Sequence, residues 1–383
     1  MGQNHDVGGR SFFHWNVLNH MAVQFHSLTI SDVHHDTQDT VAISLDVPEE
    51  LKPVFLYQHG QYITIKIDID GVSHRRNYSL CSSPVLDEPL TIAVKKVSTG
   101  VVSAWLKEHV SPGQALEVYP PMGNFTKELH PDHARHYLLF AGGSGITPIL
   151  SIMKTILRIE PNSVVTLLYA NQNDAAIMFD KDIAAIAASH PNTCRVVHIL
   201  EQGASDGRQH VRGRIDSAVF DDLLQKYAPS LDAVDAFVCG PQAMMDGIIA
   251  DLHRVGLPDT RIHREYFTLA PTQSPSDSTA MSADNSASNA LVQRRVKIKL
   301  YGQESEFDVE PDETILSAAQ RAGLDPPYAC QIGACCTCRA KLVHGTASMD
   351  EREALSDDEI ADGYVLTCQA HPTSDGVFAD YDQ

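Results

Sequence analysis

Cys330-Gln-Ile-Gly-Ala-Cys-Cys-Thr-Cys338 stands near the end of the chain and is answered by a lone cysteine in Leu366-Thr367-Cys368-Gln369. Cys330, Cys335 and Cys338 are spaced C-x4-C-x2-C, which with a later cysteine is the plant-type ligand pattern of a 2Fe-2S cluster. Four thiolates then hold two irons. Such a loop must point several sulfurs inward while backbone N–H groups face the negative cluster, and Gly333 permits the turn. A zinc site competes, yet zinc sites usually pair two C-x2-C knuckles and only one such pair is present. Cys336 adjoins a ligand but does not fit the spacing, so it reads as a free, packed thiol.

A cluster passes single electrons, so the rest of the chain should say where they come from. The 383 residues suffice for two or three domains, and a hydrophobic content of 43% with 20% charged residues describes an ordinary globular protein. A formal net charge of −20 argues against a nucleic-acid partner, which needs concentrated Lys and Arg. The same acidity suits a basic protein partner, or serves solubility alone. Eight cysteines do not suggest a disulfide framework. Thiolate ligands favour a reducing compartment, which points to the cytoplasm. No apolar run approaches the roughly 20 residues needed to span a bilayer. The first residues lack a basic region before an apolar core, so they do not read as a signal peptide.

From Phe25 to about Lys127 short stretches alternate apolar with polar residues: Thr40 to Leu45, Tyr62 to Ile67 and Leu90 to Val94. Pro48, Gly60, Gly71, Pro84 and Gly113 punctuate them, which predicts an antiparallel barrel with one helix at 103–109. Within it, Arg76-Asn77-Tyr78-Ser79 resembles the Arg-x-Tyr-Ser element of the ferredoxin-NADP reductase-like flavoproteins, where it cradles the flavin. The resemblance implies that Arg76 supplies a charge for a diphosphate, Tyr78 an aromatic face, and Ser79 a hydroxyl near the reactive nitrogen. Gly60-Gln61-Tyr62, Gly100-Val101-Val102-Ser103 and Gly123-Asn124-Phe125 resemble flavin-contacting elements of that family in the same order. The second of these opens a helix, whose free N–H groups can hold phosphate. The spacing resembles the FAD-binding branch more than the FMN-using phthalate dioxygenase reductase branch.

From His136 strands alternate with helices, the mark of a parallel sheet. The apolar strand 136–140 leads into Ala141-Gly142-Gly143-Ser144-Gly145-Ile146-Thr147-Pro148 and then a helix to about Ile159, with Thr147 expected as its cap. Glycines between a strand and a helix let backbone approach a pyrophosphate, although G-x-G-x-x-G is absent. The string resembles the family's Gly-Gly-x-Gly-Ile-Thr-Pro loop, and Cys239-Gly240-Pro241-Gln242-Ala243-Met244 resembles its Cys-Gly-Pro-x-x-Met element beside the nicotinamide. Glu265-Tyr266-Phe267 reads as the last strand, and the resemblance makes Glu265 a polar neighbour of the hydride-transfer site. In this family the segment after the second strand reads the adenosine ribose. Here it is Ala170-Asn171-Gln172-Asn173-Asp174-Ala175, with Gln172 where many relatives carry Arg, which leans toward NADH over NADPH. Lys181, Arg208 and Arg212 are the cations still able to reach a 2′-phosphate.

Residues 270–291 are rich in Ser, Asp, Ala, Asn and Thr without periodicity and read as a linker. The last segment, strand–strand–helix followed by the cysteine loop, resembles the β-grasp ferredoxins. It carries 8 Lys and Arg against 17 Asp and Glu. The expected division is an extension over 1–20, an FAD-binding β-barrel over 21–130, an α/β nicotinamide domain over 131–269, the linker, and a ferredoxin domain over 292–383.

Together the three segments resemble the reductase components of multicomponent oxygenases, in particular those serving phenylacetyl-CoA epoxidase and 3-ketosteroid 9α-hydroxylase. The resemblance implies an NAD(P)H oxidoreductase: hydride transfer to FAD with Ser79, Cys239 and Glu265 around the reacting atoms, then single electrons through the cluster to an oxygenase or hydroxylase. A desaturase-type acceptor, or a redox sensor that binds flavin and cluster without oxidising nicotinamide, are the alternatives.

Overall fold

The computed structural model describes residues 24–98, 100–228, 230–267, 292–352 and 354–383. The expected extension over 1–20 and linker over 270–291 lie outside the described residues.

Six antiparallel strands form the first unit: β1 (His26–Thr37), β2 (Thr40–Asp46), β3 (Tyr62–Ile69), β4 (Val72–Ser79), β5 (Leu90–Lys95) and β6 (Ala115–Met122). Their order is β4-β3-β6-β1-β2-β5, and a bridge from Leu80 to Ile92 brings the two edges together into a barrel. Alternation in β3 sends Ile63, Ile65 and Ile67 into the barrel core. The β3–β4 turn is Asp70-Gly71, with φ of 52° and 79°. Two positive φ values in a two-residue loop are the type I′ geometry that fits strand twist, and the turn pins the register of the hairpin. Helix α1 (Val101–His109) buries Val102 and Leu106 against this core. It begins two residues before the expected start.

The second unit is a parallel sheet of β7 (His136–Gly142), β8 (Val164–Asn171), β9 (Cys194–Leu200), β10 (Val211–Arg212), β11 (Val234–Cys239) and β12 (Ile262–Glu265), ordered β10-β9-β8-β7-β11-β12. Helices α2 (Ile146–Ile159), α3 (Asp180–Ser189), α4 (Ser217–Tyr227) and α5 (Gln242–Arg254) cover its faces. Cys81, Ala93 and Phe125 of the barrel join Ile149, Ile152 and Phe237 in one buried cluster, so the first two units share a core. Two local expectations are corrected. Glu265 ends β12, leaving Tyr266 and Phe267 outside, because its neighbour β11 stops at the paired Cys239 and no ladder partner follows. Thr147 is not the cap of α2: Gly143–Gly145 already form a 3-10 turn that runs into the helix, so Thr147 lies inside it and its hydroxyl donates back to Ser144 O at 3.0 Å.

The third unit pairs β13 (Arg294–Leu300), β14 (Gln303–Val309), β15 (Arg339–His344), β17 (Tyr364–Leu366) and β19 (Val377–Asp380) in the order β14-β13-β19-β15-β17. Strands β16 (Ala347–Met349) and β18 (Ala370–Pro372) form a small second sheet. Helix α6 (Ile315–Arg321) packs Ile315, Ala318 and Ala319 on the main sheet, capped by Thr314, and α7 (Asp357–Ala361) carries a capping box from Ser356 and Glu359.

Candidate functional site

Between α6 and β15 the chain has no regular structure, and there the cysteines gather. Gly333 has φ +75°, and a Cβ on it would meet Glu351 Cβ at 2.6 Å, so this turn is reserved for glycine. The Cys330 thiol neighbours those of Cys335 and Cys368, and Cys368 in turn neighbours Cys338. The four sulfurs are thus two pairs joined by one contact. Among the described residues no three such ligands close around a single ion. A string of paired thiols suits a dinuclear iron-sulfur group. The Ile332 N–H donates to Cys330 Sγ at 3.5 Å and Gln369 Nε2 to Cys368 Sγ at 3.8 Å, donors that offset thiolate charge. Cys336 turns away: its buried thiol donates to Ala354 O at 2.8 Å, and burial keeps it protonated.

Three residues far apart in sequence meet where the barrel faces the parallel sheet. Ser79 Oγ donates to Glu265 Oε2 at 3.2 Å, and Glu265 stands in register beside the fully buried Cys239. Burial pushes the Glu265 carboxyl up to about 8, with the Ser79 bond pulling the other way and Cys335 adding to the rise. This group therefore holds a proton at neutral pH. Burial, then the Glu265 charge, holds the Cys239 thiol well above its usual range.

Tyr78 is half-buried against the barrel core, and burial keeps its phenol protonated against the pull of Arg76. Arg76 is exposed and donates from Nη1 to Arg75 O at 2.7 Å. At α1, a Cβ on Gly100 would run into Ser103 Oγ and Val97 Cγ2, both at 2.4 Å. The Ser103 hydroxyl closes this turn, donating to Gly100 O at 3.2 Å and accepting the Val97 N–H at 3.3 Å. Ala104 makes the first bond within the helix, to Gly100 O at 3.1 Å. The N–H groups of Val101, Val102 and Ser103 thus form a helix start able to take a phosphate, and the closed turn before it has room only for a glycine at its head.

The chain leaves β7 and β11 toward opposite edges of the sheet, and their carboxyl ends lie side by side, which is where open α/β sheets bind dinucleotides. Here the glycines let two loops touch. A Cβ on Gly145 would lie 2.2 Å from Cys239 O, and one on Gly240 would lie 2.9 Å from Gly142 N. A Cβ on Gly142 would meet Pro241 Cδ at 2.6 Å. Gly143, at φ +52°, has nothing within 4 Å of such a position, so its backbone is open to a ligand. Replacing Gly145 with alanine is therefore expected to lower stability by about 1–3 kcal/mol, the range for overpacking a closed site. Thermal unfolding checks this, and Gly143→Ala is expected to cost less.

Beyond β8, the segment from Asn171 to Asp174 is fixed by the loop after β9. Glu201 N–H donates to Asn171 O at 3.1 Å, Gln202 N–H to Gln172 O at 2.7 Å, and Ser205 Oγ to Asp174 Oδ2 at 2.6 Å. Arg208 grips Asp180 with two bonds of 2.6 and 2.7 Å and Asp206 with a third of 2.7 Å.

Two sets of contacts were not foreseen from the sequence, although Tyr62 stands in the Gly60-Gln61-Tyr62 element. Asp235, fully buried, takes Lys127 at 2.8 Å and Arg135 at 2.9 Å, tying the segment that leaves the barrel to β11. Tyr62 lies directly opposite Ser79 in the β3–β4 ladder, and its hydroxyl accepts the Cys336 N–H at 2.9 Å. Only the two-residue period of β3, counted from its turn, marks Tyr62 as facing away from the barrel core.

Comparison with known proteins gives the same three parts. Residues 27–126 match the family described as oxidoreductase FAD-binding domain, residues 139–249 the oxidoreductase NAD-binding domain, and residues 298–373 the 2Fe-2S iron-sulfur cluster binding domain. The chain is 37% identical to one of the subunits of 1,2-phenylacetyl-CoA epoxidase from Escherichia coli K12, over 94% of this chain and 98% of that one. It is 35% identical to the ferredoxin reductase component of 3-ketosteroid-9-alpha-monooxygenase from Rhodococcus rhodochrous, over 92% and 96%. The solved phthalate dioxygenase reductase shares the fold, with a TM-score of 0.55 and 23% identity over 93% of this chain and 98% of that one. With FAD, nicotinamide and 2Fe-2S units in one polypeptide, this chain is an oxidoreductase belonging to the family of ferredoxin-NADP reductase-like oxygenase reductases with a C-terminal plant-type ferredoxin domain.

Proposed function

We propose that this chain oxidises NADH and delivers the electrons to a partner oxygenase of the kind its relatives serve, an epoxidase or a hydroxylase. The observation that carries this is the meeting of Ser79, Cys239 and Glu265, with Tyr62 joining the same place to the cysteine loop. FAD, when bound, accepts a hydride as a pair and releases electrons singly, a conversion that an iron-sulfur centre cannot make. Ser79 and protonated Glu265 orient the flavin edge by hydrogen bonds, and buried Cys239 sets how closely the nicotinamide lies. Arg76 and the start of α1 hold the diphosphate of FAD, Tyr78 covers its ring, and Gly142, Gly143, Gly145, Thr147, Gly240 and Pro241 shape the dinucleotide crevice. Cys330, Cys335, Cys338 and Cys368 ligate the cluster.

The choice of NADH rests on Arg208. A 2′-phosphate needs a free cation, and this guanidinium is spent on Asp180 and Asp206, while Asp174 adds negative charge near Asp206. No helix among the described residues is long and apolar enough to cross a membrane, and all eight cysteines are unpaired, which supports action in the reducing cytoplasm. The test is an anaerobic titration of the holoprotein with each nicotinamide. The visible spectrum is expected to fade with NADH and added cytochrome c then to be reduced, with NADPH much less effective. A spectrum unbleached by either would instead make the chain a sensor, and a preference for NADPH would overturn the assignment to Arg208.

A further inference from the structure

Side chains facing each other across an antiparallel ladder lie on one side of the sheet. In the β3–β4 hairpin Tyr62 faces Ser79, Thr64 faces Asn77, and Lys66 faces Arg75. This side meets the segment leading into and through the cysteine loop. Thr64 Oγ1 lies 3.3 Å from Thr337 Oγ1 and donates to Asn77 Oδ1 at 2.8 Å, and Tyr62 accepts the Cys336 N–H. Lys66 Nζ stands 3.5 Å from Asp325 Oδ2. Arg75 makes the firmest contact: it donates to Asp325 Oδ1 at 2.5 Å and to Pro326 O at 2.9 Å, and its guanidinium lies 4.3 Å from the centre of the Tyr328 ring.

Arg75 is only 3% exposed, whereas Asp325 is 61% exposed. A guanidinium leaves water only where its charge is answered, and these answers come from the ferredoxin domain, with Phe25 of the barrel completing the cover at 5.1 Å. Nothing in the barrel's own ladder needs the charge, because β4 is held to β3 by backbone pairing. Asp325 opens the segment that carries the cysteines, and Cys336 and Thr337 lie near its end. Gripping it at both places fixes the cluster loop against Tyr62, opposite Ser79.

We propose that this side of the hairpin is the seat on which the cluster is held to receive electrons from the flavin, and that Arg75, with Asp325, is the positioning residue that closes it. The transfer is one electron at a time, from reduced flavin to oxidised cluster, and Arg75 forms no bond to either. The inference rests on the proposed reductase function. The test uses the holoprotein with Arg75→Glu, Asp325→Lys and the exchanged pair Arg75→Glu/Asp325→Lys. Stopped-flow spectroscopy separates bleaching of flavin by NADH from reduction of the cluster, and small-angle X-ray scattering without nicotinamide reports domain separation. Each single variant is expected to bleach its flavin within about twofold of the unaltered protein, to reduce its cluster at least about tenfold more slowly, and to scatter as a more extended particle. The exchanged pair should recover both the rate and the compact shape, which a role in barrel folding alone would not produce. Should Arg75→Glu fail to fold, Asp325→Lys, changed at an exposed position, decides the matter. Single variants with unaltered cluster reduction and scattering, or an exchanged pair no better than they are, would overturn the proposal. If the unaltered flavin is bleached by neither nicotinamide, the reductase reading fails while the scattering still decides the seat.

Discussion

Replacing Cys335 with serine is expected to abolish electron delivery to cytochrome c while leaving reduction of the flavin by NADH intact. A serine hydroxyl holds its proton at neutral pH and is a poor substitute for a soft thiolate toward iron. Losing one sulfur of the string Cys335–Cys330–Cys368–Cys338 breaks one of its two pairs. In the proposed function hydride transfer depends on Ser79, Cys239 and Glu265, none of which is supplied by the ferredoxin domain. Cys336→Ser is the control. Its thiol donates to Ala354 O, a bond a hydroxyl can also make, so this variant should keep its iron, its sulfide and its activity. Metal analysis and the two assays side by side check both. Equal loss of flavin and cluster reduction in Cys335→Ser would refute the separation of roles.

Asp235→Ala is expected to be the most destabilising single change in the nicotinamide domain, at about 3–5 kcal/mol, the range for removing one partner of a buried ion pair. Burial alone would raise this carboxyl, but His263 close by at 3.8 Å, the bond and charge of Lys127 and the charge of Arg135 outweigh it and bring it down to about 2. With the folded value below the ordinary 3.8, the ionised form stabilises the fold. That contribution is fully present above the unfolded value and is lost as pH falls through the folded one. The stability gap between the variant and the unaltered protein should therefore be constant from neutral pH down to about 4 and narrow between there and about 2. Denaturant unfolding at several pH values measures it, and a gap independent of pH would show that the loss is one of packing.

The parts of this protein that were legible in its sequence are those where chemistry restricts the residue within a short span. Cysteine spacing marked the cluster loop, and the glycines at 142, 143 and 145 marked the crevice, because few other residues serve there. Alternation marked β3 and β5, with Gly60 and Gly71 bounding the first and Pro84 preceding the second. What stayed hidden depends on contacts between distant segments. Asp235 reads as one more polar residue at the start of an apolar strand until Lys127 and Arg135 are brought to it. Glu265 entered only through family resemblance, since nothing local shows that Ser79 lies beside it. Where α2 begins and β12 ends was misjudged for the same reason: a preceding 3-10 turn and the length of a neighbouring strand set those limits.

The double use of β4 bears on how such proteins can be recombined. Odd positions 75, 77 and 79 look toward the iron-sulfur module and even positions 76 and 78 away from it. A single-residue insertion between the Asp70-Gly71 turn and Arg75 would exchange the two sets, so the hairpin tolerates length changes only in pairs. A hybrid that takes its iron-sulfur module from another reductase would inherit a seam written for a different partner unless residues 62–79 travel with it. The natural joint for shuffling these modules therefore runs through the flavin barrel, well away from the boundary between its domains.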